Sequence, residues 1–209
     1  MRKIGLPIFA AALALSAAAP GAVQHQPLLI DPPGPYIHRG SGFIFPTASG
    51  PFKRTRLIEY DVDATDVSAA YDVYEKGRES ALTIYVYPAP PTTASTDAEA
   101  AKLERDAVCQ GEFEGVKSNV AGRHADVKLV HEGSIATPSP HFAGSGLDVL
   151  FEFSAEFRGK QQMVRSEAIL YCYFGGKWLV TYRVTAPLRV DLKGEMAKLT
   201  AAVPWPAPR

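Results

Sequence analysis

The sequence predicts an α+β fold: an antiparallel β-sheet covered by helices, an α/β/α sandwich built as a single domain over residues 42–206. Three observations lead there. From Leu147 to Phe157 the odd positions are Leu147, Val149, Phe151, Phe153, Ala155 and Phe157, while the even ones are mostly Asp, Glu and Ser. This is the period of a strand with one buried face. Gly175-Gly176 separates two apolar runs, and both positions tolerate the positive φ of a two-residue hairpin turn. Such a turn pairs Tyr173 with Trp178, Tyr171 with Val180 and Ile169 with Tyr182 on one aromatic face, leaving Leu170, Cys172 and Leu179 on the other. A sheet apolar on both faces needs cover on both. Helix signals supply it: Thr96-Asp97-Ala98-Glu99 has capping-box form, and Asp191 precedes Leu192, Met196, Leu199 and Val203 at helical spacing.

Residues 1–22 have the make-up of a signal peptide. Arg2 and Lys3 form a positive n-region, Ile4 to Leu15 an apolar h-region, and an Ala-rich stretch to Ala22 offers a cleavage site. The run is too short to span a bilayer and has no basic stop-transfer cluster, so the expected mature chain is exported and without a transmembrane segment. Residues 23–41 carry Pro27, Pro32, Pro33 and Pro35 and read as an extended, mobile Pro-rich arm. Strand character follows in Phe43 to Phe45, Arg56 to Val62, Val67 to Tyr74 and Ala81 to Tyr87, an antiparallel meander broken by Gly, Pro and Asp. A helix is expected from Asp97 to Gln110, fraying beyond Gly111 or Gly115. Then come a strand at Asp126 to His131, a loop from Gly133 to Gly146, the alternating strand, the glycine hairpin and a closing helix that stops at Pro204-Trp205-Pro206.

The 209 residues include 22 basic and 22 acidic side chains; loss of residues 1–22 removes Arg2 and Lys3, leaving 20 against 22 and a net charge of about −2. Without a Lys/Arg cluster the chain lacks the footprint of a nucleic-acid binder. Cys109 and Cys172 are the only cysteines. In an oxidising compartment, and without CxxC spacing, they are expected to form a structural disulfide. Closing a loop of about 60 residues contributes about 4 kcal/mol on the chain-entropy model. Asn119 is the only Asn and begins no glycosylation sequon, which points with the Ala-rich signal to a bacterial periplasm.

Few residues carry chemistry. The five histidines, His25, His38, His124, His131 and His141, form no pair at metal-ligand spacing. Asp61-x-Asp63-x-x-Asp66 lacks the Gly and closing Glu of a calcium loop. Gly40-Ser41-Gly42 and Gly144-Ser145-Gly146 each follow a histidine, His38 and His141, but no nucleophile elbow occurs. No catalytic residue, metal or cofactor is therefore expected. Tyr71, Tyr74, Tyr85, Tyr87, Tyr171, Tyr173, Trp178 and Tyr182 are candidates to line an apolar pocket with hydroxyl tips, though alternation alone would also place them in a sheet core. Tyr171, Tyr173, Trp178, Tyr182, His38 and His141 stand as the candidate binding residues.

The order of elements, together with GFIFP at 42–46, LTIYVYP at 82–88 and SEAILYCYFGGKWLVTYRVTAP at 166–187, resembles the PsbP-like α/β/α sandwich proteins of exported compartments. The resemblance implies an accessory, scaffolding or binding role and supplies no site residues. A cystatin-like helix packed on an antiparallel sheet is the competing fold, because residues 96–186 read as one helix followed by four strands. The expected function is that of a non-enzymatic accessory or binding protein contacting a protein or envelope component. A small-molecule or lipid carrier with an aromatic pocket is the alternative, and a serine hydrolase using Ser41 or Ser145 the second alternative.

Overall fold

The computed structural model describes residues 26–93, 96–138 and 145–205; residues 1–25, including the expected signal segment, and His141 with its neighbours lie outside the described residues. Phe52, Leu57, Val67, Ala69, Tyr71, Val73, Leu82, Ile84 and Val86 are buried at alternating positions, which is why β5 (Phe52–Glu59), β6 (Val67–Val73) and β7 (Ser80–Pro88) form. They make the antiparallel meander, with β5 beginning four residues before the expected start because Phe52 is core. After them come α1 (Ala98–Ala121), β8 (Lys128–Ala136), β9 (Ser145–Phe157), β10 (Lys160–Phe174), β11 (Trp178–Pro187) and α2 (Leu192–Ala202). Ahead of them lie the short strands β1 (Leu28–Ile30), β2 (Tyr36–Ile37), β3 (Ile44–Phe45) and β4 (Ala48–Ser49). One antiparallel sheet runs β1-β5-β6-β7-β11-β10-β9-β8, with β4 attached to β5, and β2–β3 form a separate ribbon. The chain thus returns at its end to place β11 against β7 in the middle of the sheet.

The glycine hairpin differs from the two-residue turn. Phe174, not Tyr173, pairs with Trp178, and a register shift separates Tyr171 from Phe174, while Tyr171 still faces Val180 and Ile169 faces Tyr182. Tyr173 itself takes a φ of +60°, the left-handed region, followed by Gly175 and Gly176 also at positive φ. This bulge moves Tyr173 off the aromatic face and puts Phe174 there.

Each face of the sheet has its own core. On one, Ile169, Tyr171, Phe174, Val180 and Tyr182 pack with Phe43, Phe45, Leu192, Met196, Leu199 and Trp205. On the other, Val149, Phe151, Phe153, Ala168, Leu170 and Leu179 pack with Phe113 and Val120 of α1. Trp205 closes the first core: its ring lies edge-on to Phe43, Tyr171 and Phe174 at 5.2–5.4 Å between centroids and stacks on Tyr182.

Helix α1 is 24 residues long and continues through Gly111 and Gly115 to Ala121, well past the expected fraying point. Its N-cap is Asp97, whose carboxylate accepts from the N–H groups of Glu99 and Ala100, rather than Thr96. Propensity alone would let the glycines end it, but Phe113 and Val120, beyond the first glycine, are buried against the sheet. Packing overrides propensity. The expected Cys109–Cys172 disulfide is present, joining α1 to β10 with a Cα–Cα distance of 5.9 Å.

The Pro-rich arm is extended but held. Leu28–Ile30 pair with Leu57–Glu59 as an edge strand. The Arg54 guanidinium donates to the carbonyls of Pro32, Gly34 and Phe45, and the Tyr36 hydroxyl donates to Glu59. The prolines supply no N–H donors to the arm, and Arg54 provides donors for two of its carbonyls, Pro32 and Gly34.

Replacing both cysteines by serine is expected to cost about 2–5 kcal/mol of unfolding free energy. Urea denaturation of Cys109→Ser/Cys172→Ser beside the parent chain measures it, and coincident curves would refute the tie as a stabilising element.

Candidate functional site

The second face of the sheet is divided. Under Phe113 and Val120 it is apolar, but β7 and β11 present Tyr85, Tyr87, Thr181 and Arg183 there. Residues 112, 116, 119 and 123 of α1 and the turn after it, spaced four, three and four apart, lie along one stripe and face these strands. Between them opens a cleft of about 530 Å³, completed by Tyr60 and Asp66 from the β5–β6 turn. Its volume falls within the range that holds small ligands.

The cleft is polarised. Arg183 and Arg123 bear on Tyr85, whereas Glu112 and Asp66 bear on Tyr87. Arg183 is half-buried, and the one hydrogen bond of its guanidinium among the described residues is a long 3.5 Å donation from Nε to Ser166 Oγ. Burial and the Arg123 charge both disfavour its charged form. Next to them His124 stacks on Phe153 at 4.1 Å, and burial followed by the two arginines holds its pKa below the ordinary value. The Tyr60 hydroxyl is hydrogen-bonded to Ser68 Oγ at 3.0 Å, and that of Tyr87 lies at a longer 3.4 Å from Thr181 Oγ1. At the acidic end, burial and then the neighbouring Asp61 push Asp66 up to about 6.

The Asp61 to Asp66 stretch is a turn rather than a calcium loop. The Asp61 carboxylate accepts from the Thr65 N–H at 2.7 Å and from the Thr65 hydroxyl. Ala64 takes positive φ inside that turn.

The sequence-predicted residues are dispersed. Tyr171 and Tyr182 lie in the Trp205 core, Tyr171 also bordering a second cavity on that face. Tyr173 sits at the bulge, its buried hydroxyl without a hydrogen-bond partner among the described residues. Trp178 meets the arm: His38 is edge-on to it at 4.7 Å, and a Cβ on Gly40 would come within 2.4 Å of its ring. His38 and Ser41 do meet. The Ser41 N–H donates to His38 Nδ1 at 3.1 Å, so the proton sits on Nε2, which donates to the Thr65 carbonyl at 3.2 Å. The Ser41 hydroxyl is 2.7 Å from Nδ1 and accepts from the Phe43 N–H at 3.1 Å. These bonds staple the loop, and neither described cavity opens on Ser41. His141 lies outside the described residues.

Among the proposed pocket aromatics, Tyr85 and Tyr87 do line the cleft, but Arg183, Arg123, Tyr60 and Asp66 were not legible as a group. The available signal was Thr181-x-Arg183 on one face of an otherwise apolar strand. Neither the family models nor the curated proteins compared with the chain match it. No helix among the described residues is long and apolar enough to cross a membrane.

Gly40→Ala should cost about 1–3 kcal/mol, because the Trp178 ring must move to admit the methyl group. The check is thermal melting with tryptophan emission; a variant with unchanged stability and spectrum would contradict the close contact. A second outcome concerns pH. Asp66 binds its proton more tightly folded than unfolded, so its contribution to stability is full below the ordinary value of 3.8 and is lost as pH rises through about 6. Asp66→Asn should therefore melt higher than the parent at pH 7.5 and no higher at pH 4, as read by calorimetry at both values; a pH-independent difference would exclude this assignment.

Proposed function

We propose that this chain is a non-enzymatic binding protein of an exported compartment, and that it holds a small acid with an aromatic or apolar body in the α1 cleft. The observation that carries the reading is the half-buried Arg183, backed by Arg123 and without a carboxylate partner among the described residues. A buried guanidinium stays charged and needs a counter-charge. A carboxylate or phosphate on a ligand would supply it by bidentate hydrogen bonds. The tyrosine rings of β7 would lie against the ligand body, and the Tyr60, Tyr85 and Tyr87 hydroxyls would fix its orientation.

Further support comes from the architecture. Phe113 and Val120 belong to one core, and Leu192, Met196 and Leu199 to the other, which favours an α/β/α sandwich of PsbP-like kind over the cystatin-like alternative. The Cys109–Cys172 disulfide is compatible with export, and the proposed address is a bacterial periplasm. Contact with a protein or envelope component is the second reading. It is favoured by the edge strand β1, where Leu28 and Leu29 are 52% and 66% exposed.

Native mass spectrometry of the protein purified gently from its exported fraction tests the proposal. A discrete small acid is expected on the parent chain and not on Arg183→Gln. A bare mass in both, or an adduct indifferent to the substitution, would shift the weight to partner contacts.

A further inference from the structure

On the opposite face, a second cavity of about 420 Å³ lies between β8, β9, β10 and α2. Its floor is acidic. The β9–β10 register pairs Asp148 with Ile169, so Asp148 and Glu167 are diagonal neighbours on the same face of adjacent strands. Both are deeply buried, 7% and 8% exposed. Asp148 lines the cavity with its Oδ1 buried and without a hydrogen-bond partner among the described residues. Its other oxygen is 3.5 Å from His131 Nε2, on a side chain more than half exposed.

Two buried carboxylates with so little local compensation are costly in a sheet. Burial first, and then the Asp148 charge, raises the pKa of Glu167; Lys193 and His131 act in the other direction, and Asp191 adds to the rise. Lys193, at the start of α2, is exposed and so screened by water. The walls combine apolar Ile135, Ile169 and Met196 with Tyr171, Ser134 and Thr200. No group of three His, Cys, Asp or Glu among the described residues converges as a metal ion would need.

We propose that this cavity is a second binding site, specific for an organic cation, in which Asp148 and Glu167 receive a primary ammonium group and the walls hold its apolar body. An ammonium offers three donors in a compact group, enough to reach the unpartnered Asp148 Oδ1 and the Glu167 carboxylate together. A neutral molecule of the same shape leaves both carboxylates uncompensated. The site is separate from the α1 cleft, since it opens on the other face of the sheet.

Phenethylamine and its neutral counterpart 2-phenylethanol are the probes, titrated calorimetrically into the full mature chain. The amine should bind and the alcohol should not. Asp148→Asn and Glu167→Gln, each verified as folded by melting, should weaken the amine by roughly tenfold or more. Lys193→Met removes a competing cation from an exposed position without touching the carboxylates, and should tighten it several-fold. Equal binding of amine and alcohol, no binding of the amine, or affinities unmoved by all three substitutions would each overturn the proposal. None of these results depends on an acid in the α1 cleft, so the two readings fail separately.

Discussion

The bond between Cys109 and Cys172 is the constraint on which the arrangement of the second face depends. Helix α1 is long, carries two internal glycines, and has only Phe113 and Val120 fully buried. So few apolar contacts would hold 24 residues weakly against a sheet. A covalent tie near the middle of the helix sets its height and azimuth above β10. Once that is set, the stripe from Glu112 to Arg123 faces β7 and β11 rather than solvent, and the α1 cleft has its second wall. The bridge therefore positions the walls of the α1 cleft as well as stabilising a fold.

The sheet separates two cavities of different chemistry. Under α1, Arg183 and Arg123 share a cleft with Asp66 and Glu112; beside α2, the buried Asp148 and Glu167 meet only the exposed His131 and Lys193. Both arise from the same local device, a charged residue at an inward position of a strand whose neighbours are apolar: Arg183 between Tyr182 and Val184, and Asp148 between Leu147 and Val149. Inward charge is destabilising unless compensated, and a buried charge is often replaced by an apolar residue of similar volume without loss of stability. The first face adds an aromatic core centred on Trp205, which leaves the second cavity bordered by Tyr171 rather than open to the whole cluster.

Much of the scaffold was legible because it follows from periodicity. The alternation over β9, the β5–β7 meander and the closing helix could each be read from spacing, and the disulfide from two cysteines in a chain expected to be exported. The misplaced parts depended on tertiary packing. A two-residue glycine turn is the local preference, yet the bulge before it places Phe174 and not Tyr173 opposite Trp178. Glycines 111 and 115 are local helix breakers, overruled by buried residues beyond them. Nothing in the two Gly-Ser-Gly stretches shows that Gly40 makes room for Trp178 and Gly146 for Tyr171, whose rings would meet a Cβ at 2.4 and 2.6 Å. Arg183 was passed over because nothing in a strand sequence distinguishes a solvated arginine from one under a helix that begins some 85 positions earlier.

The seam between β7 and β11 also governs how the chain reaches this state. Tyr87 and Thr181, neighbours across it, are 94 residues apart. The β5–β7 meander is complete in sequence long before its inner edge acquires a partner, so the last strand to be made is the one that closes the middle of the sheet. Non-local closure of this kind slows folding. In the interval β7 offers a bare hydrogen-bonding edge flanked by Leu82, Ile84 and Val86, a template for pairing with another chain. The period between synthesis of β7 and docking of β11 is thus when the protein is most open to aggregation, and when a chaperone holding extended segments would matter most to its yield.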